Sequence, residues 1–456
     1  MVKSAYDQFR IEWSEQQVTY LLQSMDPSYS RSSRWNNILN RIGEINKDVI
    51  EHRDALKESI KDSYSLLKTL MSEFNEDNKS KFSTNRSYQD KPIVNSLDNL
   101  YRHLDKELKD MKKSLGTIFS CIERLRNSIL EIDKNRKDFP VLHSTLERSI
   151  EICNSLSRSL IHLTENQSTE YVYWLEGEYR SPNTDREKLI ISMHSSLIDV
   201  SETINHSFFK RIDNCVLTSA TLKIQDSFDY FTKRIGLDNN VNLLKEEFLS
   251  PFHYNEQVIY HQYSGSREIV NDSSSIGDLV YHLHKVLSKR IMVLFTSINT
   301  LTLTATYLRE KPDGRTLPLF AQIKGASRPA IIKGMHQKSN GILFGTNSFW
   351  EGVDLPGDLL EILILVKLPF DVPNEPLVKS YSEYINREGG NSFMDYNLPE
   401  AAIRFRQGFG RLIRTSFDSG RFICLDNRIV LKRYGRIFSD SLPIEIEPFS
   451  QMDSIK

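Results

Sequence analysis

The residues best suited to chemistry in this sequence lie in the segment QGFGRLIR, residues 407–414. Gln407, Arg411 and Arg414 follow one another at spacings of four and three, which predicts one face at the end of a helix. Two guanidinium groups beside glycines suit a polyphosphate, because arginine binds phosphate oxygens in pairs and glycine allows close approach. Surface arginines in ordinary salt bridges have the same spacing, so the segment by itself leaves both interpretations open.

A second polar segment, SFWEGVDLPG at residues 348–357, stands between the apolar runs GILFGT and LLEILILVKLPF, which predict buried strands. Loops that follow the carboxyl ends of parallel strands are where α/β proteins bind ligands. Asp354 in this loop is placed to fix a ribose or to orient an arginine. It is equally suited to stabilise the turn before Pro-Gly.

Hydroxyl side chains follow two further predicted strands, in TSAT (218–221) and FTS (295–297). Thr296 and Ser297 are suited to hydrogen-bond a phosphate backbone, and Ser219 and Thr221 are suited in the same way. Hydroxyl residues at strand ends also cap helices, so this alternative stays open.

Composition narrows the class of protein. The 456 residues predict about two to four domains, and 59 basic against 60 acidic residues argue neither for nor against nucleic acid. The cysteines lie far apart, so a disulfide framework, a zinc site or an iron–sulfur cluster built from this chain alone is not expected. No signal core and no apolar run of about 18 residues is present, so we expect a cytoplasmic protein that does not enter the membrane.

Glycine divides the chain into two parts, because only Gly43 and Gly116 of its 19 glycines fall in the first 176 residues. Scarcity of glycine and proline permits long helices. Three apolar stripes with three- and four-residue steps predict helices over 38–70, 97–132 and 146–163, and the polar stretch 75–92 predicts a loop. These helices suggest an elongated bundle or arch.

From about residue 170 short strands alternate with helices. Strands are predicted in EYVYWLEG, KLIISM, NCVLTSATL, EQVIYHQY, RIMVLFTS, TLPLFAQ, NGILFGT, EILILVKLPF and GRFICLD. Alternating strands and helices imply a parallel sheet covered on both faces. The fold class expected is therefore α/β, with a helical part followed by a parallel-sheet domain.

The order of VLTSATL, VLFTS, GTNSFWEGVDLPG, KLPF and QGFGRLIRTSFDSGRFICLDNR resembles the DinG/XPD family of superfamily 2 DNA helicases. The flanking RIGL, SPF, LPEAAIRFRQ, KRYG and SLP are similar to the bacterial DinG pattern. The resemblance implies a helical arch at 1–169, the returning part of a first RecA-like motor domain at 170–250, and a second RecA-like motor domain at 251–456. It also implies translocation along single-stranded DNA driven by ATP.

The resemblance assigns roles to individual residues. Gln407, Arg411 and Arg414 would form the arginine-finger motif that reaches the γ-phosphate. Glu351, Gly352 and Asp354 would face the nucleotide. The residues implied at the DNA are Ser219, Thr221, Thr296, Ser297 and Ser348.

The other half of an ATP site is absent from these 456 residues. A P-loop needs G-x-x-x-x-G-K-[ST], and the sequence contains neither a Gly-Lys dipeptide nor a DEAH box. We therefore expect ATP with Mg²⁺ to bind only together with a partner half that carries both motifs. Two functions stay open: the C-terminal part of an ATP-dependent 5′→3′ DNA helicase, inactive alone, or a non-catalytic remnant that binds DNA or protein.

Overall fold

A computed structural model describes residues 6, 10–25, 39, 47–82, 93–94, 98–134, 137–165, 168–180, 188–240, 242–323, 327–346, 349, 360–451 and 454–455. The chain divides into two compact units. The first unit comprises residues 1–86, 90–199 and 375–380, and the second comprises 87–89, 200–374 and 381–456.

Long amphipathic helices build the core of the first unit. Its helices are α1 (Glu15–Met25), α2 (Lys47–Phe82), α3 (Asp98–Ile132) and α4 (Pro140–Thr164). The predicted stripe of α3 from Leu108 to Ile129 and that of α4 are buried in one hydrophobic cluster. The loop predicted at 75–92 is wrong up to Phe82, where α2 ends. Residues 75–82 are polar but contain neither glycine nor proline, so their composition indicates solvation and not a helix break.

A four-stranded sheet accompanies these helices. Its strands are β1 (Ile11–Ser14), β2 (Ile93–Val94), β3 (Tyr171–Arg180) and β4 (Lys188–Leu197). The order is β1-β4-β3-β2 and the pairs are antiparallel. EYVYWLEG and KLIISM are thus strands, but they pair with each other and do not join the parallel sheet.

A seven-stranded sheet forms the centre of the second unit. Its strands, in the order β11-β5-β10-β9-β6-β8-β7, are all parallel. They are β5 (Val258–Tyr263), β6 (Ile291–Leu294), β7 (Leu319–Ala321), β8 (Ile342–Gly345), β9 (Ile362–Leu365), β10 (Gly420–Cys424) and β11 (Ile446–Phe449). Leu363 and Leu365 enter the hydrophobic cluster on one face, and Ile362 and Ile364 enter the cluster on the other. The α/β prediction with both faces covered is confirmed.

The described part of residues 200–456 also contains helices, several of which pack on one or the other face of this sheet. They are α5 (Ser201–Ser207), α6 (Asp229–Arg234), α7 (Tyr254–Gln257), α8 (Ser273–Leu287), α9 (Ile298–Glu310), α10 (Arg328–His336), α11 (Pro376–Arg387), α12 (Leu398–Phe409), α13 (Arg428–Leu431) and α14 (Arg436–Ser439). A π-helix spans Phe393–Asn397. The strand predicted in NCVLTSATL is wrong: residues 214–219 are irregular, and Val216 is 90% exposed. A β-rich composition forms a strand only where neighbouring strands offer hydrogen bonds.

Compact packing does not by itself identify a motor domain. The assignment of 1–169, 170–250 and 251–456 to an arch and two motor parts therefore stays a prediction.

A buried carboxylate organises the turn between α3 and α4. Asp133 accepts the backbone N–H groups of Lys137, Asp138 and Phe139 at 3.0, 3.2 and 3.0 Å, and His143 Nε2 lies 3.1 Å from Asp133 Oδ2. Burial raises the pKa of this carboxyl, but the amide donors and the histidine outweigh burial, so the pKa lies below its usual 3.8.

We expect Asp133→Asn to loosen the α3–α4 hairpin at neutral pH, because the amide replaces a charged acceptor of these hydrogen bonds. A carboxyl group whose pKa is lowered by folding contributes its full stabilisation at pH values above its unfolded pKa. That contribution is lost as the pH falls through its folded pKa. The difference from wild type should therefore shrink below the usual 3.8. Amide hydrogen exchange of α3 and α4 measures it, with exposed Asp138→Asn as control. Equal protection in both variants at neutral pH would contradict the prediction.

Candidate functional site

Helix α12 ends before the two arginines of the predicted motif. It spans Leu398–Phe409, and the N–H of Gly410 closes it by donating to the Arg406 carbonyl at 3.0 Å. Gln407 lies in the last turn, whereas Arg411 and Arg414 follow the helix, so the prediction of one helical face is wrong. Leu412 and Ile413 are both buried.

The loop after α12 is held by side-chain hydrogen bonds. Asp418, which is buried, accepts the backbone N–H groups of Arg414 and Thr415 at 2.8 and 2.9 Å, and the Thr415 hydroxyl at 2.7 Å. The Gln257 amide donates to the carbonyls of Thr415, Ser416 and Asp418. These bonds fix the backbone that carries Arg414.

Burial and neighbouring groups have opposite effects on the pKa values of Arg414 and Asp418. Burial lowers the pKa of the half-buried Arg414, and the charge of Asp418 opposes that shift. Burial raises the pKa of Asp418, but its bonds to the Thr415 hydroxyl and to backbone amides lower the pKa below the ordinary value. The pair is therefore charged at neutral pH.

Residues of the second unit enclose a groove of about 2350 Å³. Its lining residues fall into two groups, here called its two walls: residues between 209 and 254, and Met394 with parts of 402–411 and 433–443. Ser219, Thr221, Gln407 and Arg411 all line it, and Arg414 is not among the lining residues. The structure thus brings together four of the predicted site residues.

The hydroxyl groups of TSAT bond to each other. Ser219 Oγ lies 3.2 Å from Thr221 Oγ1, and the backbone N–H of Thr221 donates to Ser219 Oγ at 3.2 Å. Lys223 follows and contacts Glu247, while Arg406 of α12 donates to the Lys223 carbonyl at 3.4 Å. A local hydroxyl turn therefore stands in the groove, where a strand end was expected.

The FTS residues lie elsewhere on the second unit. They follow β6, and Ser297 caps α9, with its Oγ accepting the Thr300 N–H at 3.4 Å. Neither Thr296 nor Ser297 lines the groove. The capping alternative thus describes Ser297 in this structure, and the half-buried Thr296 keeps its predicted role as a hypothesis.

The second candidate segment, residues 348–357, lies outside the described residues except for Phe349. Ser348, Glu351, Gly352 and Asp354 lie outside the described residues.

In the part of the chain that is described, no group of three or more histidine, cysteine, aspartate or glutamate residues is placed to hold a metal ion. No described helix is long and apolar enough to cross a membrane.

Sequence reasoning missed a polar network at the carboxyl ends of β9 and β10. Asp426, 1% exposed, accepts the Leu368 N–H at 2.9 Å and the Arg428 guanidinium at 2.6 Å. Arg404 donates to the Pro369 carbonyl at 3.2 Å and to Asp371 at 2.7 Å. The network fixes the KLPF segment to α12.

Removing the Asp418 carboxylate should free the loop that carries Arg414, because three donors would lose their acceptor. We expect Asp418→Ala to speed amide exchange of Arg414 and Thr415 by roughly tenfold or more. The exposed Asp440→Ala is the matched control and should leave these amides unchanged. Unaltered exchange in Asp418→Ala would show that the loop is held by other contacts.

Residues 280–445 match the family model of the helicase C-terminal domain. The chain is 34% identical over 301 residues to the ATP-dependent DNA helicase YoaA of Haemophilus influenzae, covering 66% of this chain and 44% of that protein. It is 32% identical over 372 residues to the 3'-5' exonuclease DinG of Bacillus subtilis, covering 79% of this chain and 38% of that protein. The chain therefore spans less than half the length of these curated relatives.

Solved structures of XPD proteins share the fold. An XPD helicase superposes with a TM-score of 0.53 at 14% identity, covering 98% of this chain and 67% of that chain. Xpd4 of S. tokodaii gives 0.51 at 16% identity, covering 98% and 74%. At such identities the likeness shows the fold alone. The domain match and the sequence relatives place the chain in the DinG/XPD-type superfamily 2 helicase family.

Proposed function

We propose that this chain is the C-terminal part of an ATP-dependent 5′→3′ DNA helicase that couples ATP hydrolysis to movement along single-stranded DNA in the cytoplasm, in DNA repair or replication. The observation that carries the proposal is the groove of the second unit, in which Gln407 and Arg411 stand with the hydroxyls of Ser219 and Thr221. Arg411 is suited to bind the phosphates of ATP, and the hydroxyl groups are suited to bind the DNA backbone. A motor that couples ATP hydrolysis to movement along DNA needs both contacts.

Arg411 and Arg414 are the residues we assign to transition-state stabilisation. Arginine in this role neutralises charge that develops on the transferred γ-phosphoryl group. The hydrogen bonds of Asp418 and Gln257 support the assignment, since they hold the Arg414 backbone before any nucleotide binds. Gln407, in the last turn of α12, would orient the phosphate or the attacking water beside Arg411.

The residues present do not complete a site for Mg²⁺-ATP. The sequence contains no P-loop and no DEAH box, and the described residues offer no cluster of metal ligands. We propose that both motifs come from a partner half, either another segment or another chain. Glu351, Gly352 and Asp354 would then approach the nucleotide from this side.

The groove wall supports such a partner. Val216, Leu244, Phe248 and Leu249 are 90%, 92%, 88% and 96% exposed, respectively. Apolar side chains clustered this way along one wall mark an interaction surface more often than scattered ones do. A partner half packed against this wall would bury them.

Single-stranded DNA is the polyanion that we assign to the hydroxyl residues Ser219, Thr221, Thr296, Ser297 and Ser348. A translocating motor contacts phosphates and does not need to recognise bases by sequence. Binding by this chain alone should therefore be weak, independent of sequence and sensitive to salt.

Fluorescence anisotropy with labelled single strands tests this assignment. Affinity should fall steeply as salt rises, because phosphate contacts release counterions. Thr221→Val and Thr296→Val should each weaken binding by about 2- to 10-fold, the effect of one lost hydrogen bond. Thr302→Val, an exposed position on α9, is the control. Tight binding to one duplex sequence would contradict the assignment.

ATP hydrolysis separates the helicase from the non-catalytic alternative. The isolated chain should hydrolyse no ATP above background, and a co-expressed or fused P-loop–DEAH half should create DNA-stimulated hydrolysis. In that assembly Arg411→Ala or Arg414→Ala should lower turnover by about 10³-fold or more, with a smaller effect on ATP affinity. The exposed Arg315→Ala is the matched control.

Two outcomes would reject this half-site. Efficient hydrolysis by the isolated chain would show that the site is already complete. A reconstituted pair that ignores both arginine substitutions would leave the non-catalytic DNA- or protein-binding remnant as the better account.

A further inference from the structure

Two motifs without a role in the proposed function, KLPF (367–370) and KRYG (432–435), meet in the second unit. The rings of Phe370 and Phe393 stack with centroids 5.9 Å apart and planes at 20°. Tyr434 packs edge-on against Phe393 at 5.1 Å and against Phe370 at 6.3 Å. These three rings, Phe370, Phe393 and Tyr434, are called here the aromatic platform.

The inner side of the platform is anchored in the protein core. Phe370 packs edge-on against the fully buried Phe438 at 5.9 Å. The Arg428 guanidinium lies 5.4 Å from the centre of the Phe370 ring, and Asp426 holds that guanidinium through both carboxylate oxygens. The platform is thus rigid before any ligand arrives, which lowers the entropic cost of binding.

The outer side of the platform is open to solvent. Phe393 is 37% exposed and its neighbour Met394 is 47% exposed. Both begin the π-helix, and their backbone N–H groups donate to the Asn391 side chain at 3.1 Å. A π-helix is rare and occurs frequently at functional sites. Here it presents an aromatic face that core packing does not need.

Positive charge surrounds this open side. Lys432, Arg433 and Arg436 are exposed, and within the described residues none of them forms an ion pair. Met394, Arg433, Tyr434 and Arg436 also line the groove that contains Ser219 and Thr221. The platform therefore borders the site already assigned to DNA.

We propose that the aromatic platform is a base-stacking site for single-stranded DNA. One base stacks on the exposed face of Phe393, and Lys432 and Arg433 contact the phosphates beside it. Aromatic faces with flanking cations bind single strands in this way, because every base has a π-face and every linkage a negative charge. The inference rests on the proposed DNA function and adds to it a site at named residues.

The first test uses unmodified protein and two ligands. Anisotropy compares an oligothymidylate with a strand of equal length whose sugars carry no bases. We expect the full chain to bind the thymidylate strand about fivefold or more tightly, the smallest effect of one stacked base. Equal affinity for both strands would overturn the proposal without requiring any variant to fold.

The second test assigns the stacking to Phe393. Phe393→Leu keeps an apolar side chain but removes the ring, so it should weaken thymidylate binding about fivefold or more and leave abasic binding unchanged. The salt slope should stay the same, whereas Lys432→Ala or Arg433→Ala should each reduce it by about one. Phe417→Leu, at a side chain 95% exposed on another loop, is the matched control.

The outcomes distinguish a failure of the proposed DNA function from a failure of the aromatic platform alone. If the wild-type chain binds no single strand, the proposed DNA function fails and this inference fails with it. If the chain binds DNA but Phe393→Leu binds both strands as wild type does, only the platform is rejected. That second result would make the exposed rings an apolar surface for a protein partner.

Discussion

A single buried carboxylate connects the carboxyl edge of the seven-stranded sheet with the segments that follow it. Asp426 lies two residues after β10. Its carboxylate accepts the backbone N–H of Leu368, after β9, and that of Arg428, the first residue of α13. Its own carbonyl accepts the Gln262 amide from the end of β5 at 2.9 Å. Three adjacent strands therefore end in one polar network, and a buried charge is retained only where such partners compensate its desolvation.

Helix α12 connects this polar network with the groove. Arg404, in the middle of the helix, holds the loop after β9 through Pro369 and Asp371, and Gln407 follows one turn later in the groove. The apolar side of α12 is fixed at the same time, because Phe405 and Phe409 pack edge-on against Phe422 of β10. Hydrogen bonds and aromatic packing therefore both restrict the rotation of α12. They fix the position of Gln407 relative to the KLPF segment.

Sequence patterns predicted the regular parts of the fold because local periodicity determines them. All seven strands of the parallel sheet except β11 lie in predicted apolar runs, and the stripes of α4 and of the described part of α3 are the buried faces. The failures lie where tertiary context decides. NCVLTSATL has strand composition but no neighbouring strand to pair with, and its segment is irregular. Helix α12 ends at Gly410, so Arg411 and Arg414 lie beyond it, although their spacing predicts a helical face.

The candidate site was predictable as a set of residues but not as an arrangement. Ser219, Thr221, Gln407 and Arg411 line one groove, whereas Thr296, Ser297 and Arg414 do not, and the roles of all of them stay predictions. Asp418, Gln257 and Asp426 could not be found, because no spacing distinguishes a buried aspartate that accepts several backbone amides from one in a surface turn. Burial of such groups follows from strand order, which a single sequence does not specify.

The two walls of the groove differ in how they are held, and this difference bears on the site's chemistry. The wall of α12 and residues 433–443 is fixed to the sheet through Phe405, Phe438 and the Asp426 network. The opposite wall contains the irregular segment 214–219 and exposes Val216, Phe248 and Leu249. The arginine-bearing side is therefore preorganised, whereas the hydroxyl-bearing side leaves these apolar side chains exposed. Local stability follows buried contact, so the hydroxyl-bearing side should be the less stable side of the groove, and burial of its apolar side chains should stabilise it.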